Sequence, residues 1–251
     1  MLVAVLIGTG GSEGVPVPGC VCPACNEARI YHFAKRRTAS VFVTSYGTSI
    51  MVDMSLDASE YVEEMYLDAV LITHWHHDHI AGLYKFRWIE KPVDLYAPSG
   101  DVDPEIRHFP KSLRLRYVKP FEKIDLGDME VTPLPLNHTI ETFGYLIEVG
   151  KKENIVILYD TKLLPKETEE LLKKKEVRVA LIDATTAPGS HDPKHNNVDE
   201  AVEIGKRIGA EEIILTHISH RNLPFSRLVK YVRERWDNVY VSYDGMMVYV
   251  V

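Results

Sequence analysis

A dense group of side chains that can bind metal follows the apolar run Ala69 to Thr73: it consists of His74, His76, Asp78 and His79, within six positions. Imidazole and carboxylate groups are the ligands that borderline divalent ions such as zinc, manganese and iron accept. On an extended backbone His74 and His76 point the same way and would bind one ion. Asp78 and His79, on the turn into the next helix, would serve a second ion. A His-rich surface loop is the alternative, but the preceding strand and the carboxylate favour a metal centre.

Further candidate residues stand singly at the ends of other apolar runs. They are His138, Asp160 and His217, with Asp53 as an acceptor that orients a ligand histidine from behind. Taken alone, an Asp at a strand end is usually a cap or turn residue, and a lone His is usually a satisfied polar group. Their joint occurrence at successive strand ends is what indicates a shared site.

The three cysteines lie together at Cys20, Cys22 and Cys25. Three cysteines this close together do not indicate a disulfide framework in a reducing compartment. They suit a tetrahedral zinc site, for which a fourth ligand must come from elsewhere in the chain. We therefore expect a zinc-binding loop at about residues 19–26. The alternative is three free thiols in a flexible loop.

Apolar runs that end at a polar residue indicate the strands that would position these side chains. The runs are Val3 to Ile7 before Gly8, Ser49 to Val52 before Asp53, Ala69 to Thr73 before His74, Ile155 to Tyr159 before Asp160, Val179 to Ile182 before Asp183, and Ile213 to Thr216 before His217. Helical patterns cover Ala58 to Leu67, Lys166 to Lys175, Val198 to Ile208 and Phe225 to Trp236.

Two segments leave too few residues between strands for a helix, so they predict hairpins. Val41 to Val52 breaks only at Tyr46-Gly47, and Tyr145 to Leu158 breaks only at Gly150-Lys151-Lys152. Hairpins mixed with crossover helices imply an α/β protein with two mixed β-sheets flanked by helices, an αββα sandwich. With 251 residues and no internal repeat or linker, the chain is expected to form a single domain over residues 1–251.

The charge balance restricts the partners that the chain can bind. A formal net charge of -7 argues against non-specific binding of nucleic acid, because such binding needs many cationic side chains on one surface. A small anionic substrate would have to be held by metal ions and local basic groups. The apolar run Met1 to Ile7 lacks a basic flank and is too short for a signal core or a membrane span. A cytoplasmic protein without membrane contact is therefore the expectation.

The run Gly8-Thr9-Gly10-Gly11 has two interpretations. Its backbone N–H groups could bind a phosphate, or it could be a tight turn beside the active site, which is the commoner role of a short glycine run. Neither a Walker-type lysine nor the GxGxxG spacing is present, so nucleotide binding by those routes is not predicted.

Taken together, these segments resemble the metallo-β-lactamase-fold hydrolases, and in particular the family of PhnP cyclic phosphodiesterases. The segments that carry the resemblance are Gly8-Thr9-Gly10-Gly11, Gly19-Cys20-Val21-Cys22-Pro23-Ala24-Cys25, the His74 motif, Leu136-Asn137-His138, Phe143-Gly144-Tyr145-Leu146, Asp160-Thr161, His195-Asn196 and Leu215-Thr216-His217-Ile218-Ser219-His220. The His74 motif alone identifies only the superfamily. The cysteine segment combined with the run Thr216 to His220 identifies a much smaller group of proteins.

The resemblance implies a dinuclear centre at the predicted ligands. His74, His76 and His138 would hold one divalent ion, Asp78, His79 and His217 the other, and Asp160 would bridge them. The ions would be manganese, zinc or nickel, and a hydroxide bridging them would be the nucleophile. Asp78 and His195 are the residues that the resemblance implies in catalysis.

Two further roles rest on the resemblance. His195 falls where the family carries a histidine that protonates the leaving oxygen, although the residues around it also fit a capping loop before a helix. His220 would be the fourth ligand of a structural zinc on Cys20, Cys22 and Cys25, and this zinc would clamp the N-terminal loop to the rim of the catalytic pocket.

The function that follows is metal-dependent hydrolysis of a small cyclic ribose phosphodiester, with nucleic acid not expected as a partner and a homodimer expected from resemblance alone. Other hydrolases of the same fold are alternatives, among them a tRNA 3′-processing nuclease, a lactonase, a thioesterase or a β-lactamase. A pyrroloquinoline quinone biosynthesis-like protein is a closer rival because it shares the cysteine segment. A non-catalytic metal-binding module is the alternative from a different class.

Overall fold

The computed structural model of the chain describes residues 1–62, 66–108 and 111–250. The strands, in chain order, are β1 (Leu2–Gly8), β2 (Ser40–Thr44), β3 (Ser49–Val52), β4 (Ala69–Leu71), β5 (Val93–Ala97), β6 (Leu113–Tyr117), β7 (Ile124–Leu126), β8 (Met129–Pro135), β9 (Phe143–Val149), β10 (Glu153–Leu158), β11 (Val179–Asp183), β12 (Glu212–Thr216), β13 (Val239–Val241) and β14 (Met246–Val250). They form two sheets that pack face to face.

The α-helices are α1 (Pro23–Ile30), α2 (Ala58–Tyr61), α3 (His77–Ile80), α4 (Lys166–Leu172), α5 (Val198–Arg207) and α6 (Phe225–Arg233). Short 3₁₀ helices cover His32–Ala34, Ala81–Trp88 and Ile106–His108. None of the described helices is long and apolar enough to cross a membrane.

Each sheet has seven strands, ordered β14-β1-β2-β3-β4-β5-β6 in the first and β13-β12-β11-β10-β9-β8-β7 in the second. In the first sheet the pairs from β14 to β3 are antiparallel and those from β3 to β6 are parallel. The second sheet repeats this plan, with antiparallel pairs from β7 to β10 and parallel pairs from β10 to β13. The predicted αββα sandwich with two mixed sheets is therefore confirmed.

Apolar side chains from both sheets meet in the central core. Leu6 and Val43 from the first sheet and Ile147, Ile157 and Leu181 from the second are all fully buried in one cluster. Burying a side chain of this size contributes about 1.5–3 kcal/mol relative to leaving it exposed. The remaining apolar faces of the sheets are covered by the helices, in two separate outer clusters. The sheets are thus a rigid support for the loops at their edges.

Both predicted hairpins are present, as β2–β3 with Val41 opposite Val52 and as β9–β10 with Ile157 opposite Tyr145. The predicted strand Ala69 to Thr73 ends early, because the Thr73 N–H donates to the Asp53 carboxylate instead of to a neighbouring strand. The β-sheet hydrogen bonding of β4 therefore ends just before the side chains of the candidate site.

Several predicted helices are shorter than their patterns. The last predicted residues of α4 and α6 continue as tight turns, with Lys175 N donating to Leu172 O and Arg235 N donating to Val232 O. The helix predicted from Ala58 to Leu67 is present from Ala58 to Tyr61. Residues 66 and 67, at the end of the predicted range, are not helical. The part over residues 63–65 lies outside the described residues.

Candidate metal centre

The predicted ligands gather at one edge of the sandwich. Strands β8, β10, β11 and β12 run in the same direction, so the residues that follow their carboxyl ends meet at the same edge. Asp160, His217 and His138 follow β10, β12 and β8, and His74 follows β4 of the other sheet. Phe143 N donates to Thr73 O between the two sheets at this edge. Residues far apart in the chain are therefore brought together by strand direction.

One group of potential ligands consists of His74, His76 and His138, whose ligand atoms all lie within 4.8 Å of one another. The nearest nitrogens are His74 Nε2 and His76 Nδ1 at 2.8 Å, and His138 Nε2 lies 3.3 Å from His76 Nδ1. Burial, reinforced by neighbouring histidines, lowers the pKa of His74 well below its usual value. A neutral imidazole is the form that binds a metal.

A second group consists of Asp78, His79 and His217, again with ligand atoms within 4.8 Å of one another. His79 Nε2 lies 3.0 Å from Asp78 Oδ2. Asp160 lies between the two groups: its carboxylate oxygens are 3.1 Å from His217 Nε2 and 3.8 Å from His138 Nε2. The structure thus brings together all seven predicted ligands in the two sets and with the central carboxylate that the resemblance implied.

Several ligand atoms of this centre are buried without a hydrogen-bond partner: His79 Nε2, His217 Nε2 and Asp160 Oδ1. His217 Nε2 and Asp160 Oδ1 are 3.1 Å apart but do not have the angles of a hydrogen bond. An unsatisfied buried polar atom typically costs about 1–3 kcal/mol. Three such atoms facing one small volume fit divalent ions held between them, so the residues present fit the dinuclear centre.

Asp53 lies behind the centre, where the sequence predicted an orienting acceptor. Its carboxylate is fully buried and accepts a 2.7 Å hydrogen bond from His79 Nδ1, while Thr73 donates its N–H and its hydroxyl at 2.8 Å. Burial opposes ionisation of His79, but the carboxylates of Asp53, Asp78 and Asp160 raise its pKa well above the usual value. This concentration of negative charge is what two dications would neutralise.

Asp183 belongs to the candidate site, although the sequence analysis did not assign it. It is fully buried, and its Oδ2 accepts hydrogen bonds from His195 Nδ1 at 2.8 Å and from Thr161 N at 3.0 Å. Its Oδ1 accepts from the hydroxyl of Thr185 at 2.6 Å, and this hydroxyl lies 2.8 Å from His217 Nδ1. One carboxylate thereby orients two histidines of the site. Its position directly after an apolar run was the signal that could have identified it.

His195 lies at the mouth of the centre, with its Nε2 3.9 Å from Asp160 Oδ2 and its side chain 15% exposed. Burial opposes the positive charge, but the hydrogen bond to Asp183 raises the pKa of His195 to about 9. The capping role falls to another residue of the same loop: the Asn197 side chain accepts from Glu200 N at the start of α5. The capping interpretation of this loop is therefore met by Asn197, and the role of His195 as an acid stays a prediction.

The cysteine loop forms a separate cluster in which the ligand atoms of Cys20, Cys22, Cys25 and His220 lie within 4.8 Å of one another. The Cys20 and Cys22 sulfurs are 3.4 Å and 3.8 Å from His220 Nδ1, and all three cysteines are free. The set of three sulfurs and one imidazole is a common ligand set of structural zinc, so the residues fit that ion.

We expect Cys22→Ala to lower the melting temperature by roughly 10 °C, because the loss of about 3 kcal/mol of zinc-dependent stability shifts a domain of this size by that amount. Val21→Ala is the matched control, since Val21 lies between two of the cysteines and is 80% exposed. Differential scanning calorimetry with zinc analysis measures both. An unchanged melting temperature in Cys22→Ala would defeat the structural-zinc prediction.

The glycine run is neither a tight turn nor a phosphate-binding loop: it continues from β1 as extended backbone, with Gly10 in isolated bridges to Thr38 and Ile218, and the turn follows at residues 12 and 13. The Thr9 N–H donates to Asp244 Oδ1 at 3.0 Å, Gly10 N donates to Arg37 O, and Gly11 N donates to Ile218 O. These N–H groups are already bonded within the chain and do not face a ligand.

The amino-acid sequence of the chain is similar to those of several known proteins. Residues 50–218 match the beta-lactamase superfamily domain. An octanoyltransferase from Porphyromonas gingivalis is 31% identical over 261 residues, which cover 96% of this chain and 50% of that protein, so the chain spans about half its length. Ribonuclease Z from Methanopyrus kandleri is 25% identical, with 86% of this chain and 92% of that protein covered. The probable metallo-hydrolase YhfI from Bacillus subtilis is 27% identical, with 82% and 87% covered.

Solved structures resemble the chain over nearly its whole length. A diphosphatase from the PhnP family superposes with a TM-score of 0.85 and 25% identity, covering 99% of this chain and 98% of that protein. Zinc-bound PqqB from Methylobacterium extorquens superposes with a TM-score of 0.75 and 20% identity, covering 99% of each chain. The second likeness shows the fold alone.

Proposed function

The chain belongs to the beta-lactamase superfamily, and from this membership and the geometry of its centre we propose that it is a metal-dependent phosphodiesterase that hydrolyses a small cyclic ribose phosphodiester. The observation that carries the proposal is the convergence of two histidine-containing ligand sets on Asp160. The PhnP-family neighbour, a diphosphatase by name, supports a substrate with a phosphorus–oxygen bond to be broken.

The proposed division of labour follows from the ligand sets. His74, His76 and His138 would hold one ion, Asp78, His79 and His217 the other, with Asp160 shared. When bound, two such ions lower the pKa of a water and neutralise charge on the phosphate. Asp53 and Asp183 keep the ligand histidines in the tautomer and orientation that binding requires.

His195 would act as the general acid that protonates the departing oxygen. Its Nδ1 donates to Asp183, so its Nε2 faces the centre near Asp160. A ring anchored through one nitrogen presents the other to substrate at a constant angle, which is what proton transfer to a leaving group needs. The raised pKa of His195 favours the protonated ring that a general acid requires.

A tRNA 3′-processing nuclease is the second candidate, because several relatives are named ribonuclease Z. The net charge of -7 speaks against it, since RNA binding relies on cationic side chains that contact phosphates. We propose a structural zinc and a homodimer for the protein whether its substrate is a small cyclic phosphodiester or a precursor tRNA.

A substrate panel tests the function directly. Purified protein would be supplied with Mn²⁺, Zn²⁺ or Ni²⁺ and assayed against bis(p-nitrophenyl) phosphate, ribose cyclic phosphates and a precursor tRNA, beside elemental analysis. We expect turnover of the first two classes and up to three metals per chain, one of them retained firmly by sulfur. Turnover of precursor tRNA alone would replace the proposal with the second candidate. Absence of turnover with every metal would refute both.

A further inference from the structure

We propose that Asp192 is a positioning residue that fixes the backbone of His195, with its second carboxylate oxygen paired to Arg221. The inference rests on the proposed role of His195 as general acid. The two residues lie on separate loops and are not among the predicted metal ligands.

Asp192 is 7% exposed, although aspartate at a loop is usually solvated. Its Oδ1 accepts hydrogen bonds from Lys194 N at 2.9 Å and from His195 N at 3.1 Å. Its Oδ2 forms an ion pair with Arg221 Nη2 at 3.0 Å. Both carboxylate oxygens are therefore engaged, and one of them bonds directly to the main chain of His195.

This bond supplies a constraint that Asp183 cannot supply. The hydrogen bond from His195 Nδ1 to Asp183 fixes the rotation of the imidazole, but it does not fix the Cα from which the ring projects. Backbone contacts hold the residues that follow His195, where Thr186 N donates to Asn196 O at 3.3 Å and Thr186 and Asn197 form an isolated bridge, whereas His195 N itself donates to Asp192. A displacement of about 1 Å at a reacting group can cost about 100-fold in rate, so an anchor at His195 N matters.

Arg221 connects this loop to the segment that carries His217. The residue next to it, Asn222, donates to the carbonyls of Ala184 and Thr186 at 2.8 Å and 3.1 Å, so the base of Arg221 is held against the end of β11. The Arg221 side chain is 55% exposed, and an ion pair of that exposure contributes little by itself. The two hydrogen bonds that Asp192 Oδ1 accepts from main-chain N–H groups therefore matter more than the charge of Asp192.

A leaving-group comparison tests the proposal. For wild type and variants, kcat is measured with bis(p-nitrophenyl) phosphate and with a ribose cyclic phosphate, which expels an alkoxide and needs the general acid. In Asp192→Ala we expect the ratio of kcat for the cyclic substrate to kcat for the p-nitrophenyl substrate to fall about tenfold or more. Asp192→Asn keeps an oxygen acceptor for both N–H groups and should restore most of the ratio.

Asp199→Ala is the matched control. Asp199 accepts from Gly189 N at 3.0 Å and from the Tyr231 hydroxyl at 2.8 Å, so it braces the other end of the same segment without contacting His195. Its substitution should leave the ratio as in wild type. An equal fall of the ratio in Asp199→Ala and Asp192→Ala would overturn the proposal, because general loosening of the loop would then suffice.

A second measurement does not depend on turnover. The His195 Nδ1 proton bonded to Asp183 should give a slowly exchanging imidazole NMR signal in wild type. We expect the signal to be lost in Asp192→Ala and kept in Asp192→Asn and Asp199→Ala. A protected signal in Asp192→Ala would overturn the positioning role even if diesterase activity is found. If no diester is hydrolysed by wild type, the proposed function fails while the NMR comparison still decides the role of Asp192.

Discussion

His76→Ala should lose nearly all phosphodiesterase activity and at least one equivalent of active-site metal. His76 lies in the ligand group with His74 and His138, and its Nδ1 is within 3.3 Å of both partner nitrogens. Replacing a residue that only orients a ligand typically costs about 10–100-fold in metal affinity or activity, so removal of a ligand itself should cost more than about 100-fold. Elemental analysis and kcat with bis(p-nitrophenyl) phosphate measure the two effects.

The neighbouring His77 provides the control, because it is exposed and belongs to the same short segment. His77→Ala should keep both the metal content and the turnover of wild type. Because His76 is only half-buried, we expect His76→Ala to fold, and circular dichroism checks this. If His76→Ala retained full metal and full activity, the ligand assignment for the whole first group would be wrong.

Much of this centre could be predicted because its ligands follow strands in the sequence. Asp160 and His217 each come directly after an apolar run, and parallel strand direction brings the two together although the residues are far apart in the chain. The fold was predictable for the same reason, since hairpins and crossover helices leave different spacings. The spacing of apolar residues and the polar residue at the end of a strand are local features, and local features can be recognised in a sequence.

The orienting residues could be predicted only in part. Asp53 is predicted because it directly follows the apolar run Ser49 to Val52, whereas Asp183 also follows an apolar run and was not assigned. What distinguishes Asp183 is its set of hydrogen bonds to His195 and Thr185, which depends on side-chain directions across two loops. Asp192 starts an Asp-Pro turn, and its hydrogen bonds to Lys194 N and His195 N are local, but its ion pair with Arg221 joins two separate loops. Such pairings are decided by tertiary structure and leave no periodic trace.

The pH dependence of turnover should report His195. Burial opposes its positive charge, but the hydrogen bond to Asp183 raises its pKa to about 9. The protonated ring is the acid, so kcat for a cyclic diester should be retained below this pKa and fall as the pH rises through it. Bound dications disfavour the positive ring and would move the decline to lower pH. The same alkaline decline should be absent from a variant without the imidazole.

His195→Ala should therefore keep its metals and lose turnover in proportion to the need for an acid. Loss of a general acid typically costs about 10²–10⁴-fold, and the loss should be largest for an alkoxide leaving group and smallest for p-nitrophenolate, which departs without a proton. Metal analysis, kcat for both substrates and the pH profile are measured on one preparation. Equal losses for both leaving groups would assign His195 to substrate or metal binding, because only proton transfer depends on the basicity of the departing oxygen.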